Sequence, residues 1–143
     1  MVYEDRVPSE LEQKARKATG ETFGPEVIDS SILVTFPYEY PHRQIVMEHT
    51  ISEFTCLCPF SGLPDFAKIT IKYIPNKLCI ELKSLKYYLL SYRQVRIFHE
   101  HVVNKILEDL VKVLDPIKLE VIGEFNVRGG IYTTAHASYH KQE

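Results

Sequence analysis

The hydrophobic period of this chain changes twice, and that pattern leaves few architectures open. Within residues 66–74, Ile69, Ile71 and Tyr73 alternate with Lys68, Thr70 and Lys72, the two-residue period of a half-buried strand. Residues 77–82 alternate again through Leu78, Ile80 and Leu82. After Lys83 the spacing becomes helical, with Leu85, Tyr88, Leu89 and Tyr92 on one face. Val102, Val103, Ile106, Leu107, Leu110 and Leu114 mark a second helix over residues 98–114, with the i, i+3, i+4 spacing of an amphipathic face. Asp115-Pro116 stops it. Ile117, Leu119 and Val121 return to alternation, and Gly129-Gly130 makes a turn into a last strand over residues 131–138. Upstream, residues 43–58 carry Ile45, Val46, Thr50, Ile51 and Thr55 and read as a first strand, bent or bulged, ended by Pro59. The order β-β-α-α-β-β predicts an α+β domain with an antiparallel sheet.

At 143 residues the chain suffices for one domain with its own core. Residues 1–24 are polar and charged, so they read as a peripheral arm, with a short helix starting at Pro8-Ser9-Glu10 and Ser9 as its cap. Residues 25–143 form the domain. No apolar run approaches the ~20 residues that cross a bilayer, and Met1 to Lys17 lacks a secretory apolar stretch. Three cysteines, an odd number, argue against a disulfide framework and for a reducing cytosol. The net charge of −2 excludes a generally basic nucleic-acid binder. The expectation is a cytoplasmic protein with neither membrane nor nucleic-acid partner.

Cys58 stands where a strand enters a Pro-Gly turn, a rigid position near the surface that suits a nucleophile. A lone cysteine is more often an inert buried thiol. Asp65 shifts that balance, because the tight turn between them brings an acid back toward the thiol. Taken alone, Asp65 would be a turn residue. Cys56, two residues earlier, would share a face with Cys58 in a regular strand. A metal site built from the cysteines and histidines is the competitor, but there is no CxxC pair and no HExxH. Between Lys68 and Arg96, seven lysines and arginines face Glu81 alone. A solvated face explains most such runs. Lys83 and Lys86, one turn apart at a helix start, can also converge with its N-terminal amides on a phosphate, which suggests a dinucleotide outside any GxGxxG frame. Glu100, beside His99, offers two oxygens to paired N–H donors such as those of a guanine-like ring, or is simply a first-turn glutamate favoured by the helix dipole.

Together these segments resemble one family. Glu81-Leu82-Lys83-Ser84-Leu85-Lys86-Tyr87-Tyr88 is similar to the signature octapeptide of the NADPH-dependent 7-cyano-7-deazaguanine reductases, the nitrile reductases of queuosine biosynthesis in tRNA modification. Glu53-Phe54-Thr55, Cys58-Pro59, Gly62, Pro64-Asp65-Phe66, Phe98-His99-Glu100, Val103-Asn104 and Arg128-Gly129-Gly130 resemble the family's other motifs, so the likeness spans roughly residues 40–132. It implies the tunnelling fold: an antiparallel sheet with two helices on one face, and subunits joined into a closed, barrel-like homo-oligomer, two stacked rings with sites between subunits. Cys58 is implied as the nucleophile that forms a covalent thioimide, and Asp65 as the proton donor. Ile80, Glu81, Leu82, His99 and Glu100 are implied as substrate contacts. Lys83, Ser84 and Lys86 would bind NADPH, consumed twice per turnover, with no metal. Cys56 departs from the family, which commonly has serine there. The alternatives are an amidine-forming transferase on the same scaffold and a non-catalytic pterin- or purine-binding oligomer.

Overall fold

A computed structural model describes residues 20–142 together with Glu10, Gln13, Lys14 and Lys17. Ser9, the expected cap, lies outside the described residues, while those four arm residues are helical. The elements are β1 (Thr35–Pro37), β2 (Met47–Leu57), β3 (Pro64–Ile74), β4 (Leu78–Ile80), α1 (Leu82–Leu90), α2 (His99–Leu114), β5 (Lys118–Arg128) and β6 (Ile131–His140). Strands β2, β3, β5 and β6 pair in that order into one antiparallel sheet. The expected α+β architecture with two helices over one sheet face is therefore present.

That face is set by the two-residue period. Ala67, Ile69, Ile71 and Tyr73 of β3 and Leu119, Val121 and Phe125 of β5 are buried. They form one core with Leu85, Tyr88 and Leu89 of α1 and Val102, Val103, Ile106, Leu110 and Leu114 of α2. Among the described residues no helix covers the opposite sheet face, which explains its lysines, glutamates and threonines. Between the helices, Tyr88 donates to Asp109 Oδ2 (2.6 Å) and exchanges a hydrogen bond with Tyr92 (2.9 Å), and Lys105 pairs with Asp109 (3.1 Å). A buried carboxylate is thus fully partnered, as such groups must be.

One expectation fails in detail. The alternation over residues 77–82 does not extend the main sheet. Leu78–Ile80 pairs instead with Thr35–Pro37 in a separate two-stranded ribbon, and Leu82 already belongs to α1, 58% exposed. The reason is local: Glu81 caps α1, its Oε1 accepting from Lys83 N–H (2.8 Å) and its Oε2 from Ser84 N–H (2.7 Å). A strand cannot continue through a residue that is already satisfying the first amides of a helix.

Two bulges position the site. In β2 the register moves from Ile51↔Ile69 to Phe54↔Ala67, one extra residue on β2. Burial changes phase there, from Met47, His49 and Ile51 to Phe54 and Cys56. In β5 the register moves from Phe125↔Thr133 to Arg128↔Ile131. Gly129 and Gly130, with φ of 56° and 80°, then form the two-residue turn that such positive φ values allow.

Candidate active site

The end of β2, the start of β3, the end of β5 and the first turn of α2 meet at one corner of the sheet. Cys58 sits just past β2, in a turn closed by Cys58 N–H to Leu63 O (2.9 Å) and Gly62 N–H to Cys58 O (2.8 Å). Cys58 is 8% exposed. Burial alone would push its pKa up, but the Ser61 amide and hydroxyl, the Phe60 amide and the Arg128 guanidinium bond the sulfur, and the net shift is downward.

Asp65, second in β3, is 5% exposed. Its Oδ2 lies 3.1 Å from His99 Nε2 and its Oδ1 lies 2.9 Å from Arg128 Nη1. The His99 ring stacks on Phe125, with centroids 3.8 Å apart and planes at 12°. Asp65, His99, Phe125 and Arg128 line a cavity of about 220 Å³. Glu100 follows on the same turn of α2 and is exposed, its carbonyl accepting from Asn104 Nδ2 (2.9 Å). So Cys58, Asp65, His99 and Glu100 share one corner of the fold.

Ile80, Glu81, Leu82, Lys83, Ser84 and Lys86 do not join them within one chain. Ile80 N–H donates to Tyr73 Oη (3.0 Å), and Tyr73 lies eight residues along β3 from Asp65, roughly 27 Å at the rise of a strand. Ser84 Oγ accepts from Val34 N–H (2.9 Å). Lys86 lines a different hollow of about 190 Å³ with Glu53, Thr55 and Arg93. The phosphate reading also needs a correction. The Lys83 and Ser84 amides are taken by Glu81, whose carboxyl they hold below its usual range, so phosphates would be bound by the Lys83 and Lys86 ammonium groups and not by a free helix terminus.

The family model described as QueF-like protein matches residues 64–143. The NADPH-dependent 7-cyano-7-deazaguanine reductase of Caldicellulosiruptor bescii is 52% identical over 131 residues, spanning 92% of this chain and 100% of that protein. The reductase of the same name from Chloroherpeton thalassium is 54% identical over 112 residues, 78% of this chain and 97% of its own. The chain belongs to the NADPH-dependent 7-cyano-7-deazaguanine reductase family. The archaeosine synthase QueF-Like, solved in the apo form, shares the fold with a TM-score of 0.61 at 20% identity, over 70% of this chain and 96% of its own.

The residues that sequence reasoning leaves out are Arg128, Ser61 and Phe125. Arg128 stands in the quoted Arg128-Gly129-Gly130 match, which was the available signal. Its contact with Asp65 depends on the β5 bulge, and Phe125 and Val127 keep the two-residue period running across that bulge, so the sequence does not mark it.

Proposed function

We propose that this chain reduces the nitrile of 7-cyano-7-deazaguanine to the primary amine of 7-aminomethyl-7-deazaguanine, through a covalent thioimide on Cys58. The observation that carries the proposal is a thiol set among turn amides and a guanidinium, at the same corner as the buried Asp65–His99 pair. A nitrile carbon is a poor electrophile. When the Cys58 sulfur adds to it, the displaced π pair goes to nitrogen, and Asp65 delivers the proton that makes a neutral thioimide. Without that proton a localised nitrogen anion would form, a far stronger base than the thiolate that attacked, at high cost. NADPH, when bound, supplies hydride, and four electrons require two equivalents per product. Between the two, Cys58 must leave as thiolate to release the imine, so the group that makes the S–C bond easy to form also makes it easy to break.

His99, held flat by Phe125 and oriented by Asp65, and Glu100, whose two oxygens suit paired N–H donors, orient the deazaguanine ring. Lys83 and Lys86 bind phosphates, with Ser84 beside them. Ile80, Glu81 and Leu82 line the substrate pocket of a neighbouring subunit in a closed homo-oligomer of two stacked rings. The reaction runs in the cytoplasm, where Cys58 stays reduced.

Incubating the protein with 7-cyano-7-deazaguanine alone should add the whole substrate mass by intact-protein mass spectrometry, and NADPH should then be oxidised as the adduct is consumed. Cys58→Ala should abolish the adduct and Asp65→Asn should slow it. An adduct without NADPH oxidation would favour an amidine-forming transferase. An adduct mapped to Cys56 would sink the residue assignment.

A further inference from the structure

The N-terminal arm and Arg96, the last cation of the basic run, meet beside the Cys58 turn. Residues 94–97 lie against the end of β2: Leu57 N–H donates to Val95 O (2.8 Å) and Ile97 N–H to Leu57 O (3.1 Å). The chain leaving the arm lies on their other side. Phe23 N–H donates to Gln94 O (2.9 Å), Arg96 N–H to Phe23 O (2.8 Å) and Gln94 Nε2 to Glu21 O (3.0 Å). These bonds gather Arg96, the arm and the Cys58 turn around one cavity of about 280 Å³, lined by Lys17, Gly20, Thr22, Gly62 and Arg96. Resting on the reading of Cys58 as the nucleophile of an NADPH-dependent reduction, we propose that this cavity is a phosphate site, in which Arg96 and Lys17 hold the diphosphate of the nicotinamide cofactor.

The lining has the chemistry of an anion site. It offers a guanidinium, an ammonium and a hydroxyl, and among the described residues no carboxylate lines it. Lys14, Lys68, Lys105 and Lys141 each pair with a carboxylate, whereas among the described residues neither Lys17 nor Arg96 is in an ion pair. Like charges gathered in one hollow repel, and a bound anion removes that cost. A guanidinium presents its N–H donors in a planar fork that matches a phosphate, and an ammonium serves a second phosphate as a point charge. Gly20 and Gly62 have φ of 81° and 75°, and without side chains they let a ligand approach the backbone closely.

Position decides which phosphate sits there. Gly62 belongs to the turn that holds Cys58, its N–H donating to Cys58 O (2.8 Å). Two residues on, Pro64 lines the cavity that contains Asp65 and His99. The two cavities therefore flank one short turn. Hydride must reach the carbon bonded to Cys58, so the nicotinamide lies at this turn. The diphosphate is one ribose away from that ring and comes next along the cofactor. The 2′-phosphate sits on the other ribose, beyond the diphosphate, and is left to Lys83 and Lys86. The chain as a whole carries a net charge of −2, so an anionic cofactor depends on cations gathered locally, as they are here.

The test is NADPH binding in the absence of nitrile, read from the change in cofactor fluorescence as the full chain is titrated in, for the wild type, Arg96→Ala, Arg96→Lys and Lys17→Ala. Both side chains are exposed, which selects the low end of what a charge-assisted contact is worth. Arg96→Ala should therefore raise the Kd about tenfold, and Lys17→Ala about threefold. Arg96→Lys should recover most of the affinity. The wild-type Kd should rise with added salt more steeply than that of Arg96→Ala, because screening acts on a charge the variant lacks, and a merely structural residue would leave that slope alone. NADH carries the same diphosphate, so Arg96→Ala should weaken NADH by the same factor as NADPH. Equal Kd values and equal salt slopes for wild type and Arg96→Ala would overturn the proposal. So would a loss confined to NADPH, which would put the 2′-phosphate in this cavity instead. If Arg96→Ala fails to fold, Lys17→Ala, on the arm, gives the same reading through its smaller loss shared by the two cofactors. Binding uses no nitrile, so this failure is separable from that of the reductase reading, which would show as a wild-type protein that binds NADPH and gains no substrate mass.

Discussion

Cys56 and Cys58 are two residues apart, and their surroundings drive them in opposite directions. Cys56 is fully buried, and burial, with the neighbouring Asp65 and Cys58 charges, pushes its thiol up to about 12. Cys58 is buried too, but its turn supplies donors and its net shift is down. Thiolate fraction governs reactivity, and a thiol with a pKa near 12 stays protonated across pH 6–9. Iodoacetamide at neutral pH should therefore label Cys58 while Cys56 remains unmodified until the chain is unfolded. Equal labelling of both in the native protein, by peptide mapping, would contradict this account of the corner. The turn chemistry around Cys58 and the acid at Asp65 were legible in the sequence, because Pro59, Gly62 and Pro64 mark the reversal. The opposite behaviour of the two thiols was not. It depends on which amides close over the sulfur, and the strand period assigns both cysteines to the same face.

At the scale of elements, the four main strands and both helices follow from periodicity, since each buries one face against a common core. What periodicity misses is what it cannot encode. β1 has three residues and ends in Pro37, too short to alternate. The β2 bulge was foreshadowed only by the length of the first strand. Gly123 is a further case, because it reads as a weak spot in β5 while its lack of a side chain has a packing purpose. A Cβ there would lie 2.8 Å from Phe125 Cε2 and 2.9 Å from Val103 Cγ1, and both of those side chains are nearly fully buried. Neither can retreat without disturbing the core, and Phe125 is the ring on which His99 stacks. Gly123→Ala should destabilise the protein by about 1–3 kcal/mol, the usual range for overpacking, and should also slow nitrile adduct formation through His99. A melting temperature and adduct rate both unchanged would mean that β5 and α2 separate at no cost.

At the scale of the whole molecule, one chain holds two halves that do not meet. Cys58, Asp65, His99 and Glu100 occupy one corner of the sheet, while Ile80 lies toward its far end, where it bonds Tyr73, and Lys86 lines a separate hollow with Glu53 and Thr55. Among the described residues the sheet also ends in two long strands, β2 and β6, whose outer edges are unpaired except at Leu57, which bridges Arg96. Edges of this length are aggregation hazards unless something covers them. The ring proposed above would resolve both problems: edge would pair with edge, and the octapeptide of one subunit would reach the Cys58 corner of another. Complementation tests this directly. Cys58→Ala lacks the nucleophile, and the double variant Lys83→Glu, Lys86→Glu lacks the phosphate-binding charge, so each alone should oxidise almost no NADPH. If a site takes Cys58 from one subunit and the lysines from its neighbour, dissociating, mixing and reassembling the two should restore intact sites. For random mixing in equal amounts, about a quarter of the sites receive a wild-type half from each side, as expected for interfaces that join two different patches of one chain. Activity near that fraction, with light scattering showing a closed oligomer before and after, supports shared sites. If the mixed assemblies form and stay as inactive as their parents, both halves must come from the same chain, and the far end of the sheet would have to serve a site other than the Cys58 corner.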